Sequence, residues 1–178
     1  ASARYRSGKP DRAVIVYSNR LREAYHDIPI VIGGIEASLR RLAHYDYWEN
    51  RVRRSILLDS RADLLVYGPG ELQVMEVARR LSEGRPLTGI PGTALISHDL
   101  PPDFEEIPSY EEVALLPEKF VEAQRALANY KNLAQKHANR YVLQYRAADY
   151  TPEILDWIYS LPFSRFIPAD YHELEMAK

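Results

Sequence analysis

Pro29-Ile30-Val31-Ile32-Gly33-Gly34, running on into Ile35-Glu36-Ala37-Ser38-Leu39-Arg40-Arg41, is the stretch that decides the fold. Its unbroken apolar run is the pattern of a strand buried on both faces of a parallel sheet. The glycine pair ends the run, and a short helix is expected over 36–43. The same sentence is written again at Asp63-Leu64-Leu65-Val66-Tyr67, which ends in Gly68-Pro69-Gly70-Glu71. Behind it, Val74, Val77, Ala78 and Leu81 recur at helical spacing, with Gly84 as the stop.

Working outward, Val14, Tyr17, Leu21 and Ala24 predict a helix capped by Asp11 and closed by Asp27 and Pro29. A further helix is expected over 50–60, with Val52, Ile56 and Leu57 inward, and a third strand over 93–97. This alternation predicts an α/β fold: a partial doubly wound, Rossmann-like or flavodoxin-like parallel sheet with flanking helices. Ligands of such sheets sit at the carboxyl ends of the strands. The candidate site is therefore Gly33, Gly34, Glu36 and Ser38 together with Gly68, Gly70 and Glu71. Glycine permits close approach of backbone to a ligand, and a helix start behind it favours an anion. The same glycines also serve in tight turns that bind nothing. Neither GxGxxG nor GxxxxGK[ST] occurs, which argues against dinucleotide and P-loop functions.

Composition narrows the class. The chain has 178 residues, 46% hydrophobic and 27% charged, enough apolar material for a core. The longest uncharged apolar stretch is residues 28–35, far short of the roughly 20 residues of a membrane span. No charged-then-apolar leader is seen, and a soluble, cytoplasmic domain is expected. Cysteine is absent, which excludes disulfides, thiol catalysis and cysteine-ligated metal within the chain. The net charge of −2 predicts no strong overall pull toward nucleic acid. The first residue is Ala1 and residues 1–10 read as a loose polar lead-in, so a piece of a longer protein is expected. Residues 1–100 hold 15 basic and 12 acidic side chains, and residues 101–178 hold 8 and 13. The seam coincides with the breaker-rich Asp99-Leu100-Pro101-Pro102-Asp103, and a boundary is expected there, between an α/β domain (1–100) and a mostly helical segment (101–178).

His44-Tyr45-Asp46-Tyr47-Trp48, flanked by Arg40, Arg41, Arg51, Arg53 and Arg54, is the most unusual cluster. Interleaved arginines and aromatics suit stacking on bases or binding of phosphates. The alternative is a packed loop whose arginines pair with Glu36, Asp46 and Glu49. His44 and Asp46 have no evident third ligand nearby and do not make a metal site. In the second half, Ser109-Tyr110-Glu111-Glu112 is a capping box. Phe120, Ala123, Leu127, Tyr130, Ala134 and His137 step along an expected long helix, with His137 packing at its end. The acidic run Asp103-Phe104-Glu105-Glu106 reads as a loop, 141–144 as a short strand, and Thr151-Pro152 as the start of a helix that Pro162 and Pro168 stop.

The run from Ile28 to Arg41, the His44-Tyr45-Asp46-Tyr47-Trp48 cluster, Val52-Arg53-Arg54-Ser55 and Ala62-Asp63-Leu64-Leu65-Val66-Tyr67-Gly68 together closely resemble the YgiQ-type radical SAM proteins. Pro108-Ser109-Tyr110-Glu111-Glu112-Val113, Arg140-Tyr141-Val142 and Ser160-Leu161-Pro162-Phe163 extend the likeness over nearly the whole chain. The resemblance implies a cobalamin-binding-domain-like region preceding a radical SAM barrel. The parent would carry a [4Fe–4S] cluster and S-adenosylmethionine, with the cluster motif downstream of Lys178. This chain would be a non-catalytic accessory part whose partner is that barrel, and an incomplete sheet edge would favour self-association. Of the cobalamin signature, Gly33-Gly34 fits in sequence and position. Asp170-Tyr171-His172 supplies Asp-x-His, but Glu175 replaces the required glycine, and Ser55-Ile56-Leu57 follows the glycine pair instead of preceding it. Under this reading Tyr45, Asp46, Tyr47 and Trp48 line the strand-end side or lock it by packing. The competing classes are a nucleic-acid-binding module and a purely structural interaction domain.

Overall fold

The computed structural model describes residues 10–129 and 131–163. The lead-in at 1–9, Tyr130, Pro168 and Asp170-Tyr171-His172 lie outside them. Two compact units are present, Ala1–Ala148 and Asp149–Lys178. Among its described residues the second contributes one helix, α7 (Pro152–Ser160), which Thr151 caps through its side chain with Pro152 in the first turn.

The first unit holds six helices: α1 (Ala13–Ala24), α2 (Gly34–Leu39), α3 (Ile56–Ser60), α4 (Glu71–Ser82), α5 (Tyr110–Leu115) and α6 (Pro117–Ala126). Its strands are β1 (Val31–Ile32), β2 (His44–Asp46), β3 (Arg51–Arg53), β4 (Leu64–Val66), β5 (Thr93–Ser97), β6 (Glu105–Ile107), β7 (Leu133–His137) and β8 (Arg140–Gln144). Six of them form one sheet in the order β1-β4-β5-β8-β7-β6, and β2 and β3 form a separate hairpin. None of the helices among the described residues is long and apolar enough to cross a membrane.

The α/β class holds, but the sheet is mixed. β1 pairs with β4 in parallel and β6 with β7 in parallel, while β4–β5, β5–β8 and β8–β7 are antiparallel. The reason lies after α4. The Gly- and Pro-rich residues 84–92 make an extra pass across the sheet and bury Ile90, so β5 enters at the edge where β4 leaves. The Tyr67 N–H donates to the Gly92 carbonyl at 3.0 Å at that point. A single helical crossover would have returned the chain parallel.

Among the described residues the second half holds three strands, β6, β7 and β8, beside its helices. The expected long helix stops at Ala126, and Leu133–His137 is a strand. A strand buried on both faces is apolar at consecutive positions, so Ala134 and His137 meet a helical spacing by coincidence. Likewise residues 50–60 divide into β3 and α3, and the acidic run expected as a loop holds β6. The sheet draws on both sides of the breaker-rich stretch at 99–103, because β5 before it pairs with β8 after it.

Successive strand residues feed opposite layers. Leu65, Ala94, Leu133 and Val142 pack with α1, α2, α3, α5 and α6 on one face; Leu64, Leu95, Ala134 and Leu143 pack with α4 and Ile90 on the other. This two-sided burial is what the continuous apolar runs reported.

Candidate functional site

Because β1, β4 and β8 run the same way, their carboxyl ends share one edge of the sheet. A Cβ on Gly33 would lie 3.3 Å from the Val66 carbonyl oxygen, so glycine lets β1 close against β4. The Gly68 N–H donates to Ser38 Oγ at 3.3 Å, which joins the two expected strand-end loops. Just past α2, Arg41 reaches over them. Its Nε donates to Gln144 Oε1 at 2.6 Å and its Nη1 to the Ser38 carbonyl at 2.5 Å. Its Cζ stands 4.6 Å above the centre of the Tyr67 ring, a cation–π contact. The Tyr67 hydroxyl donates in turn to the Tyr145 carbonyl at 2.5 Å.

Arg41 and Tyr67 open onto a cavity of about 260 Å³ lined also by Leu127, Asn129, Lys131 and Gln144. No carboxylate lines it among the described residues. Burial lowers the Arg41 pKa from its ordinary value, opposed by the Tyr67 phenol, and burial raises Tyr67 to about 12, opposed by Arg41. The guanidinium is thus a half-buried cation held in a fixed pose without a counter-charge. Its fork geometry suits a carboxylate or phosphate. Lys131 stands at the rim, paired with Glu105 at 2.6 Å.

The other basic residues of the segment are matched. Arg40 pairs with Glu36 at 3.0 Å, Arg53 with Glu49 at 2.7 Å and with Asp59 at 2.8 Å, and Arg54 with Asp59 at 2.6 Å. Arg51 also pairs with Glu49. Asp46 is buried in the β2–β3 turn, where it accepts from Arg12 at 2.8 Å and from the Trp48 and Glu49 N–H groups. Burial pushes its carboxyl up, but these donors outweigh that and leave it at about 2. Asp46 therefore locks the hairpin and lines no cavity described here.

Of the remaining expected residues, Gly33, Gly34, Ser38 and Gly68 gather at the shared edge. Glu36 turns to Arg40, Gly70 precedes α4 where an added Cβ would meet Val66 at an ordinary 3.5 Å, and Glu71 opens α4 on the surface. Tyr47 and Trp48 meet edge to face at 5.6 Å and are exposed. Tyr45 borders an apolar cleft of about 360 Å³ with Val52, Val113, Leu115, Phe120 and Val121. The residues that build the Arg41 cleft, Tyr67 and Gln144, were not among the expected ones. Local spacing carries no signal for them: Arg51 and Arg54, like Arg41, have no acid three or four residues away, yet both are paired.

The groups that the resemblance implies can be tested against this edge. Gly33-Gly34 is at a strand end as expected. The cleft offers a guanidinium, a phenol and an amide, with no imidazole among the described lining residues to ligate cobalt. At about 260 Å³ the cleft is also smaller than the roughly 300–1,000 Å³ of pockets that enclose a drug-sized ligand, let alone a corrin. Cobalamin does not fit it. With no cysteine in the chain, no thiolate is present to hold an iron–sulfur cluster either.

A family model described as Radical SAM N-terminal matches residues 2–177. A UPF0313 protein of Clostridium botulinum (strain 657 / Type Ba4) is 46% identical over 96% of this chain. One from Geobacter sulfurreducens is 48% identical over 88% of it, and one from Clostridium perfringens (strain 13 / Type A) 46% over 88%. The chain spans only 28% of the length of the first two relatives and 26% of the third. No solved structure matches it.

Proposed function

The chain belongs to the Radical SAM N-terminal family, and from that premise we propose that it is a non-catalytic, anion-binding accessory unit of a longer radical SAM protein. The cluster and S-adenosylmethionine chemistry is carried by other parts of that polypeptide, and this unit holds an acidic group of the substrate or of a partner segment. The observation that supports this reading is Arg41, a fixed, half-buried guanidinium that faces a cavity without a carboxylate. Placement at the shared carboxyl ends of three strands agrees with where α/β sheets bind ligands.

Docking of the remaining polypeptide is supported by the apolar cleft between the β2–β3 hairpin and α5–α6, with Tyr45, Leu115 and Val121 exposed along it. β1 is the outermost strand on its side of the sheet among the described residues, with Ile28 and Val31 exposed beside it. Pairing there with further strands of the same polypeptide, in place of a second copy, belongs to the same proposal. Nucleic-acid binding is not favoured, because four of the five arginines that suggested it, Arg40, Arg51, Arg53 and Arg54, are paired with Glu36, Glu49 and Asp59.

Titration of the chain with inorganic phosphate, followed by amide and arginine Nε–H resonances, tests the reading. Saturable shifts are expected at Arg41 Nε–H and at the Gly68 and Tyr67 amides, and the amide shifts should vanish in Arg41→Gln. Amide shifts that persist in that variant, or none in the parent chain, overturn it. Added cobalamin should keep the absorbance spectrum of the free corrin.

A further inference from the structure

The sheet contains a second parallel pair, and it points the other way. β6 and β7 end at the edge opposite the Arg41 cleft, after a crossover through α5 and α6. The rule that places ligands at strand carboxyl ends therefore applies twice in this fold.

At the second edge the last residue of β7 is His137, only 5% exposed. Neither of its ring nitrogens has a hydrogen-bond partner. The imidazole stacks on Tyr110, the first residue of α5, with centroids 5.5 Å apart and planes 12° apart. It borders a cavity of about 300 Å³ whose walls include Arg54, Tyr110, Glu111 and Arg140. A buried polar group without a partner costs on the order of 1–3 kcal/mol; both nitrogens lie sealed under the cavity wall, so an occupant would act on the ring through its charge.

The charges around it say which kind. Arg54 uses its Nε on Asp59, and Asp59 is shared with Arg53. Glu111 is occupied at the rim, where its Oε1 accepts from the Ala138 N–H at 3.0 Å. No carboxylate pairs with Arg140 among the described residues. Two guanidiniums, a phenol ring, an imidazole and the Glu111 carboxylate thus surround the space, two positive charges against one negative, with Asp59 held by Arg53 and Arg54. We propose that this cavity is a second binding site, for a small oxyanion such as a phosphate monoester or carboxylate group, clasped by Arg54 and Arg140 beside the His137–Tyr110 pair. The site is independent of the Arg41 cleft: it stands at the other edge of the sheet and shares no lining residue with it.

Burial, with Arg54 adding to it and Asp59 opposing, holds His137 neutral and lowers its pKa to about 4. An anion seated on the ring would favour the imidazolium, so binding should raise the His137 titration midpoint and tighten as pH falls. Arg53, Arg54, Asp59, Glu111 and Arg140 are the charged groups that set this balance, with Tyr110 across the ring.

The test uses the full 178-residue chain with 15N-labelled histidine, titrated separately with inorganic phosphate and with acetate. A saturable change in the His137 ring signals and an upward move of its midpoint are expected with at least one of them, which also identifies the anion class. Arg140→Gln should weaken the response about tenfold, as for loss of one charge-assisted hydrogen bond. Arg41→Gln should leave it unchanged. The proposal is overturned if neither anion moves the His137 signals saturably, or if the response survives intact in Arg140→Gln. Because Arg140 is exposed in the β7–β8 turn, that variant tests the site without threatening the core.

Discussion

The two edges of this sheet carry the same supersecondary unit and solve it oppositely. At the first, β1 and β4 end in glycines, the turns lie close together, and a charged side chain is held by Gln144 and Ser38 with its charge unmatched. At the second, β6 runs through Pro108 into a capping box in which Ser109 and Glu112 satisfy each other's donors, so the start of α5 is closed to outsiders. What is left open there is a neutral ring without hydrogen bonds. The contrast teaches that a strand-end site can be built from an excess of charge or from a deficit of hydrogen bonds. Only the first kind advertises itself by glycines.

The sharpest way to break the comparison is through two buried glutamines, Gln135 and Gln144. Gln135 Oε1 accepts from the Ala43 N–H at 2.7 Å and its Nε2 donates to the Pro108 carbonyl at 3.0 Å, tying the first crossover to the second. Gln135→Ala strands both groups and leaves a void. It should cost about 2–4 kcal/mol by chemical denaturation. Gln144 supports only Arg41 among the contacts described, and Gln144→Ala should cost about 1 kcal/mol while abolishing the phosphate-induced shifts at Gly68. Equal losses in the two variants would mean that Gln135 is no bridge.

Acid should separate the edges in two windows. His137 has a folded pKa near 4, below its ordinary 6.5, so the unfolded chain takes up the proton first. Stability from this group is complete above pH 6.5 and is lost as pH falls toward 4, by on the order of 2 kcal/mol. Asp46 has a folded pKa of about 2 against an ordinary 3.8, so its contribution is complete above 3.8 and is lost as pH falls through 2. Urea midpoints measured across this range should fall in both windows. His137→Phe should flatten only the upper one, and Asp46→Asn only the lower. A profile of His137→Phe that still falls between 6.5 and 4 would place the titrating group elsewhere.

How much of this was written in the sequence differs between the edges for a physical reason. Ile30 to Gly34 and Leu64 to Gly68 are local: an apolar run and the glycines that end it lie within a few residues, so strand, turn and site edge can be read directly. The pairing of β6 with β7, and the placement of His137 beside a cavity, depend on contacts across α5 and with Arg54, distant in the chain. The helical spacing from Phe120 to His137 reads as one helix because nothing local distinguishes a two-sided strand from a buried helix. Arg41 falls between these cases. Glu36 and Asp46 each lie five residues from it, and only the fold shows that they pair elsewhere and that Gln144 holds it.

The smallest expected effect concerns backbone and tests whether the glycines matter for shape alone. Gly34 has φ +81°, and a Cβ there would meet nothing within 4 Å, so any cost of substitution comes from the left-handed conformation and not from crowding. Gly34→Val should therefore destabilise by about 1–2 kcal/mol, the penalty for a β-branched residue at positive φ. The second edge makes its turn with Ala138 at φ 55°, without glycine. Ala138→Gly removes that strain but loosens the unfolded chain by a similar amount, and its net effect should stay within about 0.5 kcal/mol. An unchanged melting curve for Gly34→Val would remove the conformational reason for glycine at the first edge, leaving close approach at Gly33, 3.3 Å from the Val66 carbonyl, as the one backbone requirement there.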